Sequence, residues 1–231
     1  VCSWSDAMAP IHDAANNGRV ETLGRLLAEG VSPDATDDRA QTPLHCLCRS
    51  TWSAWCAADR LVCLRLLLDA GANLEAVDCN GHTPLHWCAT EVRNVEIVSS
   101  LVEAGANVNA AADLGKTALH FAASTGALAC VKVLLAAGAD INVRSNSGLT
   151  PFDYAISHNC RRAWPLFLRA GAEIPTDNTD PYIVRVRNAG GFQRYAQAHL
   201  ARITAILAPT PRLPPEMVRK IVEFWLHAGY Y

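Results

Sequence analysis

Apolar and polar positions follow the spacing of short helices through most of the chain. In the stretch 128–137, for example, Val131, Leu134 and Leu135 recur at helical spacing and form one apolar stripe. A glycine follows at Gly138, and Asp140 comes two residues later. Glycine suits the left-handed conformation that ends a helix, and Asn or Asp favours a turn. The pattern predicts short helices separated by tight turns.

A tetrapeptide of the type Thr-Pro-Leu-His marks where these helices begin. Threonine suits the N-cap because its hydroxyl can accept a backbone N–H, and proline suits the first helical position, where no N–H is needed. The tetrapeptides begin at Ala9, Thr42, Thr83, Thr117 and Thr150, which are 33, 41, 34 and 33 residues apart. The glycines that end the units are Gly30, Gly71, Gly105, Gly138 and Gly171, with spacings of 41, 34, 33 and 33. Two markers in one register predict five repeated units.

This pattern resembles the ankyrin-repeat family, whose unit is a tight turn followed by two short antiparallel helices. The resemblance covers about residues 6–176 and implies an all-α solenoid with β-hairpin-like turns. We expect a repeat domain over 1–176 and a C-terminal helical extension over 177–231. Within the repeat domain, the expected repeats lie near 6–37, 38–77, 78–111, 112–144 and 145–176. One helix pair cannot bury its apolar face alone, so stability comes from stacking neighbours.

Two units depart from the pattern. The third has one extra residue near 91–94, where the family has a glycine turn, and this predicts a slight bulge. The fifth replaces the tetrapeptide histidine with Asp153 and places Pro165 early in its second helix, where we expect a lost hydrogen bond. No further tetrapeptide follows Ala172. The array is therefore expected to end near residue 176.

An insertion of eight residues, within 49–58, lengthens the second unit and contains Trp52 and Trp55. Tryptophan is over-represented among residues that anchor partner proteins, and insertions in repeat proteins often lie near a binding surface. The alternative is that both indoles fold back onto neighbouring units. Both interpretations are compatible with the sequence.

The C-terminal extension changes to a longer amphipathic pattern. Phe192, Tyr195, His199 and Ile203 share one helical stripe that ends before Pro209, and a last helix follows the proline-rich segment 209–215. Such helices can cover the open end of a solenoid. The segment 213–222 also resembles the opening of an F-box, and its position resembles the end of a SOCS box. Under that resemblance, ligase docking would involve Leu213, Pro214, Met217, Val218, Ile221 and Val222.

Composition narrows the class of protein. Half of the 231 residues are apolar, which excludes disorder for most of the chain, and no apolar run approaches the roughly 18 residues of a membrane span. The 20 basic against 22 acidic side chains give a net charge of −2 and no overall attraction for nucleic acid. Nine cysteines without a CxxC pair indicate reduced core residues in the cytoplasm or nucleus. Location in an organelle is an alternative, because the chain begins with Val1 and not with a start Met.

No catalytic or cofactor site is legible in the sequence. His45, Cys46, Cys48 and Cys56 could suggest a zinc site, but Cys46 and Cys48 point about 200° apart on a helix, which argues against it. There is no glycine-rich phosphate loop and no nucleophile–histidine arrangement. The family resemblance instead assigns the tetrapeptide histidines to hydrogen bonds within their own unit and towards the next. We therefore predict neither an enzyme nor a bound metal or cofactor.

The resemblance implies a module that is monomeric on its own and binds a partner protein through a concave surface of hairpin tips and first helices. Besides Trp52 and Trp55, the implied contact residues are Arg39, Gln41, Arg49, Cys79, Asn80, His82, Thr90, Glu91, Leu114, Lys116, Ser124, Thr125, Asn146, Leu149 and His158. One alternative is a substrate-recognition adaptor of a ubiquitin ligase. Another is a structural subunit of a large assembly, docked through residues 180–231, which carry seven basic and three acidic side chains.

Overall fold

The computed structural model of the chain describes residues 10–49, 57–207, 214, 216, 217 and 220. Across these residues it forms twelve α-helices and no strand beyond one isolated bridge between Ala111 and Thr117. The predicted all-α repeat fold is confirmed.

Each of the five predicted units contributes one inner and one outer helix. The inner helices are α1 (Pro10–Asn16), α3 (Pro43–Arg49), α5 (Pro84–Ala89), α7 (Ala118–Thr125) and α9 (Pro151–Ser157). The outer helices are α2 (Val20–Ala28), α4 (Ala57–Asp69), α6 (Val95–Glu103), α8 (Leu128–Ala136) and α10 (Trp164–Arg169). Inner helices pack against inner helices, and α2, α4, α6 and α8 form a second row.

The core runs through this stack and is built from equivalent positions of successive units. The third residue of every tetrapeptide is at most 2% exposed; these residues are Ile11, Leu44, Leu85, Leu119 and Phe152. Each inner helix therefore contributes one large apolar side chain to a continuous core. Burial of such a side chain stabilises the fold by about 1.5–3 kcal/mol.

The turns that end the units are joined by side-chain to backbone hydrogen bonds. The Oδ1 atom of Asn109 accepts from the Asp140 N–H at 2.8 Å, and the Oδ1 atom of Asn142 accepts from the Glu173 N–H at 2.9 Å. Asp34 accepts in the same way from Asn73. Polar residues of the turn sequences thus hold adjacent units in register.

The extra residue of the third unit forms a 3-10 turn, Val92–Asn94, instead of a simple outward bulge. Asn94 is 1% exposed and donates through Nδ2 to the Cys48 carbonyl at 2.9 Å. Its Oδ1 accepts from Arg60 at 3.0 Å, and the same guanidinium donates to the Leu47 carbonyl at 2.8 Å. The departure from the family pattern therefore links the second and third units.

Two further helices, α11 (Pro181–Asn188) and α12 (Phe192–Leu207), follow the array. Tyr182 of α11 stacks on Trp164 of α10, with 6.2 Å between ring centroids, and meets Tyr195 of α12 edge-on at 5.7 Å. The Arg187 guanidinium donates to the carbonyls of Pro175 and Thr176 in the linker. These contacts cover the apolar end of the fifth unit, as a cap requires.

The expected lost hydrogen bond at Pro165 is wrong. Pro165 is the second residue of α10, and the first residues of a helix have no intrahelical acceptor for their N–H groups. Proline therefore costs this helix nothing. Its fixed φ instead favours the start of a helix.

The expectation of reduced cysteines is wrong for one pair. Cys48 of α3 and Cys88 of α5 form a disulfide, 40 residues apart in sequence. Stacking brings these two helices together, which spacing along the chain does not reveal. Cys46, Cys63 and Cys130 are buried thiols, and burial raises the pKa of each to about 11. They stay protonated at neutral pH and are poor nucleophiles.

Candidate partner-binding surface

The tetrapeptide histidines hold the hairpins that carry the surface. In the third unit, the Thr83 N–H donates to Nδ1 of His86 at 3.0 Å, so Nδ1 is unprotonated and the ring proton is on Nε2. Nε2 then donates to the carbonyls of Ala110 and Lys116, which flank the next hairpin, at 3.0 and 3.2 Å. The corresponding acceptors are Gln41 for His12, His82 for His45 and Leu149 for His120. The predicted inter-unit role is confirmed for all four histidines, and the predicted local bond is confirmed for His45, His86 and His120.

The rings of His45, His86 and His120 are neutral because they are buried. Burial lowers the pKa of His86 to about 4, and burial also lowers the pKa of His45 and of His120. In the last unit, the carboxylate of Asp153 accepts from the Thr150 N–H at 2.8 Å and so reproduces the local bond. An ionised carboxylate cannot donate to a following carbonyl. Aspartate in place of histidine therefore suits the last unit, which is followed by α11 and not by another hairpin.

The tips of successive hairpins form a continuous row through backbone hydrogen bonds. Cys79 N–H donates to the Arg39 carbonyl at 2.9 Å, and Asn146 N–H donates to the Leu114 carbonyl at 2.8 Å. Asp113 N–H donates to the Asn80 carbonyl between them. We call Arg39, Cys79, Asn80, Leu114 and Asn146 the tip row. All five are exposed, so the row presents side chains to solvent.

The close approach of adjacent tips requires glycine. Gly81 has φ +69°, and a Cβ atom there would lie 2.9 Å from the Asp113 nitrogen. Gly115 has φ +68°, and its Cβ would lie 3.1 Å from the Asn146 nitrogen. In the second hairpin the equivalent residue is Ala40, which adopts φ +57°. Glycine thus serves both the left-handed turn and the stacking of tips.

Beside the tip row, three successive inner helices place an aromatic residue directly after the tetrapeptide. These are Trp87, Phe121 and Tyr154, all half-buried, and we call them the aromatic stripe. The Trp87 indole N–H donates to Oδ2 of Asp78 at 3.0 Å. Asp78 is only 4% exposed. A buried acceptor therefore holds the indole in one orientation.

The Asp78 carboxylate is itself held by its own hairpin. Its Oδ1 accepts the N–H groups of Asn80 and His82, both at 2.9 Å. Burial raises its pKa, but these hydrogen bonds, with that of Trp87, bring the net pKa below the usual range. The group is ionised at neutral pH.

Two cations lie over the aromatic stripe. The Arg49 guanidinium is 5.9 Å from the Trp87 ring centroid, and the Lys116 ammonium is 5.0 Å from Tyr154 and 5.9 Å from Phe121. The His82 ring bridges Trp87 and Phe121, at 5.5 and 5.3 Å. The result is a continuous cationic and aromatic surface. We call it, together with the tip row, the inner face.

Family comparisons agree with this geometry. A model described as "Ankyrin repeats (3 copies)" matches residues 11–112, and one described as "Ankyrin repeats (many copies)" matches residues 101–155. This chain belongs to the ankyrin-repeat family.

Several relatives of this ankyrin-repeat chain share part of its sequence. Inversin of Danio rerio is 36% identical over 93 residues, which is 40% of this chain and 8% of inversin. Ankyrin repeat domain-containing protein 53 of Homo sapiens is 38% identical over 82 residues, 35% of this chain and 15% of that protein. Ankyrin repeat domain-containing protein 53 of Macaca fascicularis is 37% identical over 82 residues, which is 35% of this chain and 16% of that protein. The chain thus spans less than a fifth of the curated relatives it matches.

The contact residues implied by the ankyrin resemblance mostly lie on or beside the inner face. Besides the tip row, Thr125, Leu149 and His158 are exposed. Half-buried members of the set are Arg49, His82, Thr90, Glu91, Lys116 and Ser124. Gln41 is a correction, since its side chain is 3% exposed and cannot offer a contact area.

Trp52 and Trp55 lie outside the described residues, as do Leu213, Val218, Ile221 and Val222. Of the residues implied in ligase docking, Pro214 and Met217 are described, and Met217 is 48% exposed. The docking and insertion hypotheses therefore stay predictions.

Sequence reasoning misses the aromatic stripe. Trp87, Phe121 and Tyr154 are not among the contact residues that the family resemblance implies. The available signal is an aromatic residue at the same position in three successive ankyrin units. Only the packing of the inner helices places all three rings on one surface.

The bonding of Cys48 and His45 is incompatible with a zinc site at these residues. The Cys48 sulfur is joined to Cys88, and both ring nitrogens of His45 already have hydrogen-bond partners in Thr42 and His82. Among the described helices, none is both long and apolar enough to cross a bilayer.

Proposed function

We propose that this protein-interaction module binds its partner across the inner face, with Trp87 as the central anchor. The observation that carries the proposal is the hydrogen bond from the Trp87 indole to the buried Asp78 carboxylate. An aromatic side chain already held in one rotamer loses little conformational entropy on binding. Tryptophan is also among the residues most enriched at binding hot spots.

Exposed apolar residues at the hairpin tips support the same surface. Leu114 and Leu149, at hairpin tips, are 63% and 40% exposed. Apolar side chains grouped beside aromatic rings are typical of a contact region. A stable interface covers about 800 Å² on each partner, which the tips and inner helices of three or four units can supply.

The experiment compares Trp87→Ala with Val62→Ala in affinity capture from the native source, followed by calorimetry on each partner found. Val62 is 45% exposed on the outer helix α4 and is a matched control away from the inner face. We expect Trp87→Ala to weaken binding by about 2 kcal/mol or more, and Val62→Ala to bind like the wild type.

Thermal unfolding of each variant checks that the fold is intact. A partner bound equally well by wild type and by a folded Trp87→Ala variant would show that the inner face is not the binding surface.

A further inference from the structure

Polar groups converge at one end of the aromatic stripe, around Tyr154. The hydroxyl groups of Ser145 and Ser147 are 2.9 Å apart. Both hydroxyls interact electrostatically with the Tyr154 phenol, and the Lys116 ammonium lies 5.0 Å from the centroid of the same ring. Burial raises the pKa of Tyr154, but the neighbouring hydroxyl groups and the positive charge of Lys116 bring it below its ordinary value. One ammonium and three hydroxyl groups thus share a small region, which we call the Lys116 cluster.

The Lys116 cluster matches an anion with a single charge. The Lys116 ammonium and the Tyr154 hydroxyl can each donate to a carboxylate oxygen. A phosphate dianion is better matched by the planar fork of arginine, which this cluster lacks. Lys116 lies over the faces of Phe121 and Tyr154, so its ammonium is already positioned by the rings.

The neighbouring carboxylate does not neutralise the cluster by direct contact with Lys116. Asp153 is turned away towards its own helix start, where Oδ2 accepts from the Thr150 hydroxyl and the Thr150 N–H, each at 2.8 Å. The cluster therefore combines a positioned cation with the hydroxyl donor of Tyr154.

Apolar surface continues from the Lys116 cluster towards a second cation. Phe121 and Trp87 follow in the preceding units, and Arg49 lies over the Trp87 ring. Arg49 and Lys116 belong to units that are two apart, which is about 20 Å at the usual spacing of packed helices. An extended peptide covers that distance in about six residues. The order along the surface is thus cation, aromatic rings, cation.

We propose that the partner enters the inner face as an extended peptide, with an Asp or Glu carboxylate bound by the Lys116 cluster and an apolar side chain on Phe121 and Trp87. This rests on the proposed function, since it specifies the chemistry of a partner for the same surface. Charge complementarity selects an acidic peptide over a basic one.

The test uses the full chain and a phage-displayed library of random 12-residue peptides. Selected peptides are synthesised with a fluorophore, and their affinities are measured by fluorescence anisotropy against wild type, Lys116→Gln, Lys132→Gln and Trp87→Ala. Lys132 is exposed on the outer helix α8 and is the matched control for the loss of one positive charge. Circular dichroism verifies that each variant is folded.

We expect the selected peptides to be enriched in Asp or Glu beside apolar residues. Lys116→Gln should weaken their binding about tenfold, while Lys132→Gln leaves it unchanged. Replacing the acidic residue of the peptide by its amide should weaken binding to the wild type by the same factor. The same replacement should weaken binding to Lys116→Gln very little. That non-additivity assigns the carboxylate to Lys116.

Other results overturn the proposal in distinguishable ways. Peptides that lose affinity for Trp87→Ala but not for Lys116→Gln would reject the carboxylate site and leave the inner face as the binding surface. Peptides insensitive to both variants, or a library without binders, would reject the inner face as a peptide site. Tighter, Lys116-dependent binding after a phosphoserine replaces the acid would reject the carboxylate as the preferred anion.

Discussion

Individual residues at the hairpin tips adopt backbone conformations that their side chains disfavour. Ala40 has φ +57° and Leu114 has φ +67°, whereas Gly81 occupies a comparable turn without strain. The left-handed region costs a non-glycine residue roughly 1–2 kcal/mol. At Ala40 nothing in the structure explains the alanine. At Leu114 the strained residue is also 63% exposed, which is consistent with a contact role.

Ala40→Gly is therefore expected to raise the free energy of unfolding by about 0.5–1 kcal/mol, because relief of backbone strain exceeds the added entropy of the unfolded chain. Urea unfolding with an unchanged m-value measures this. Ala198→Gly, at an exposed position inside α12, is the opposite control and should lower stability by about 1 kcal/mol. A destabilising Ala40→Gly would mean that the turn prefers alanine.

Leu114→Asn should change stability and binding in opposite directions. Asparagine tolerates the left-handed conformation better than leucine, so we expect the unfolding free energy to rise by about 0.5 kcal/mol or more. The apolar contact is lost at the same time, so affinity for an inner-face partner should fall. Chemical denaturation and calorimetry on the same preparation test both effects. If binding is unaffected, Leu114 is not a contact residue.

At the level of elements, each of the first four inner helices is joined to the next hairpin through a buried histidine. At His45, His86 and His120, protonation of the ring would remove the acceptor that receives the threonine N–H and would place a charge in the core. The connection therefore depends on pH. His86 is the best defined example, since burial lowers its pKa to about 4 and its ring bonds to two carbonyls that flank the next hairpin.

Stability should fall as the pH drops from about 6.5, the pKa of histidine in an unfolded chain, towards 4. The unfolded state binds more protons in this window, so the contribution of His86 is complete above it and decreases by up to about 3 kcal/mol across it. Unfolding free energies between pH 7 and 5, where carboxylates stay largely ionised, measure the effect. A constant value over that range would contradict neutral, buried rings.

At the level of the whole molecule, neighbouring units are coupled by several independent links. The tetrapeptide histidines join each inner helix to the next hairpin. Asn109 and Asn142 join the turns that end the units, and the Cys48–Cys88 disulfide joins α3 to α5. Arrays of this type gain stability from such nearest-neighbour contacts. The links concentrate around the second and third units, where Asn94 and Arg60 add a buried polar connection.

Reduction of the disulfide should lower the free energy of unfolding by about 3–4 kcal/mol, because a closed loop of 40 residues restricts the unfolded chain. Urea unfolding with and without dithiothreitol measures the difference. A Cys88→Ala variant should be insensitive to the reductant. The disulfide would be disproved if the wild type were equally stable in both conditions and thiol titration without dithiothreitol found both cysteines reduced.

The sequence alone determined the number of units, their register, the helix starts and the end of the array. These properties follow from local chemistry, since proline, glycine, threonine and Asp153 act within a few residues of their own positions. The stripe of α12 could be predicted for the same reason. Only the tertiary structure decided that Cys48 meets Cys88, that Asp78 orients Trp87 and that Lys116 lies over Phe121 and Tyr154. Those contacts depend on how one unit stacks on the next, and a helix offset of one residue would change the partners in each case.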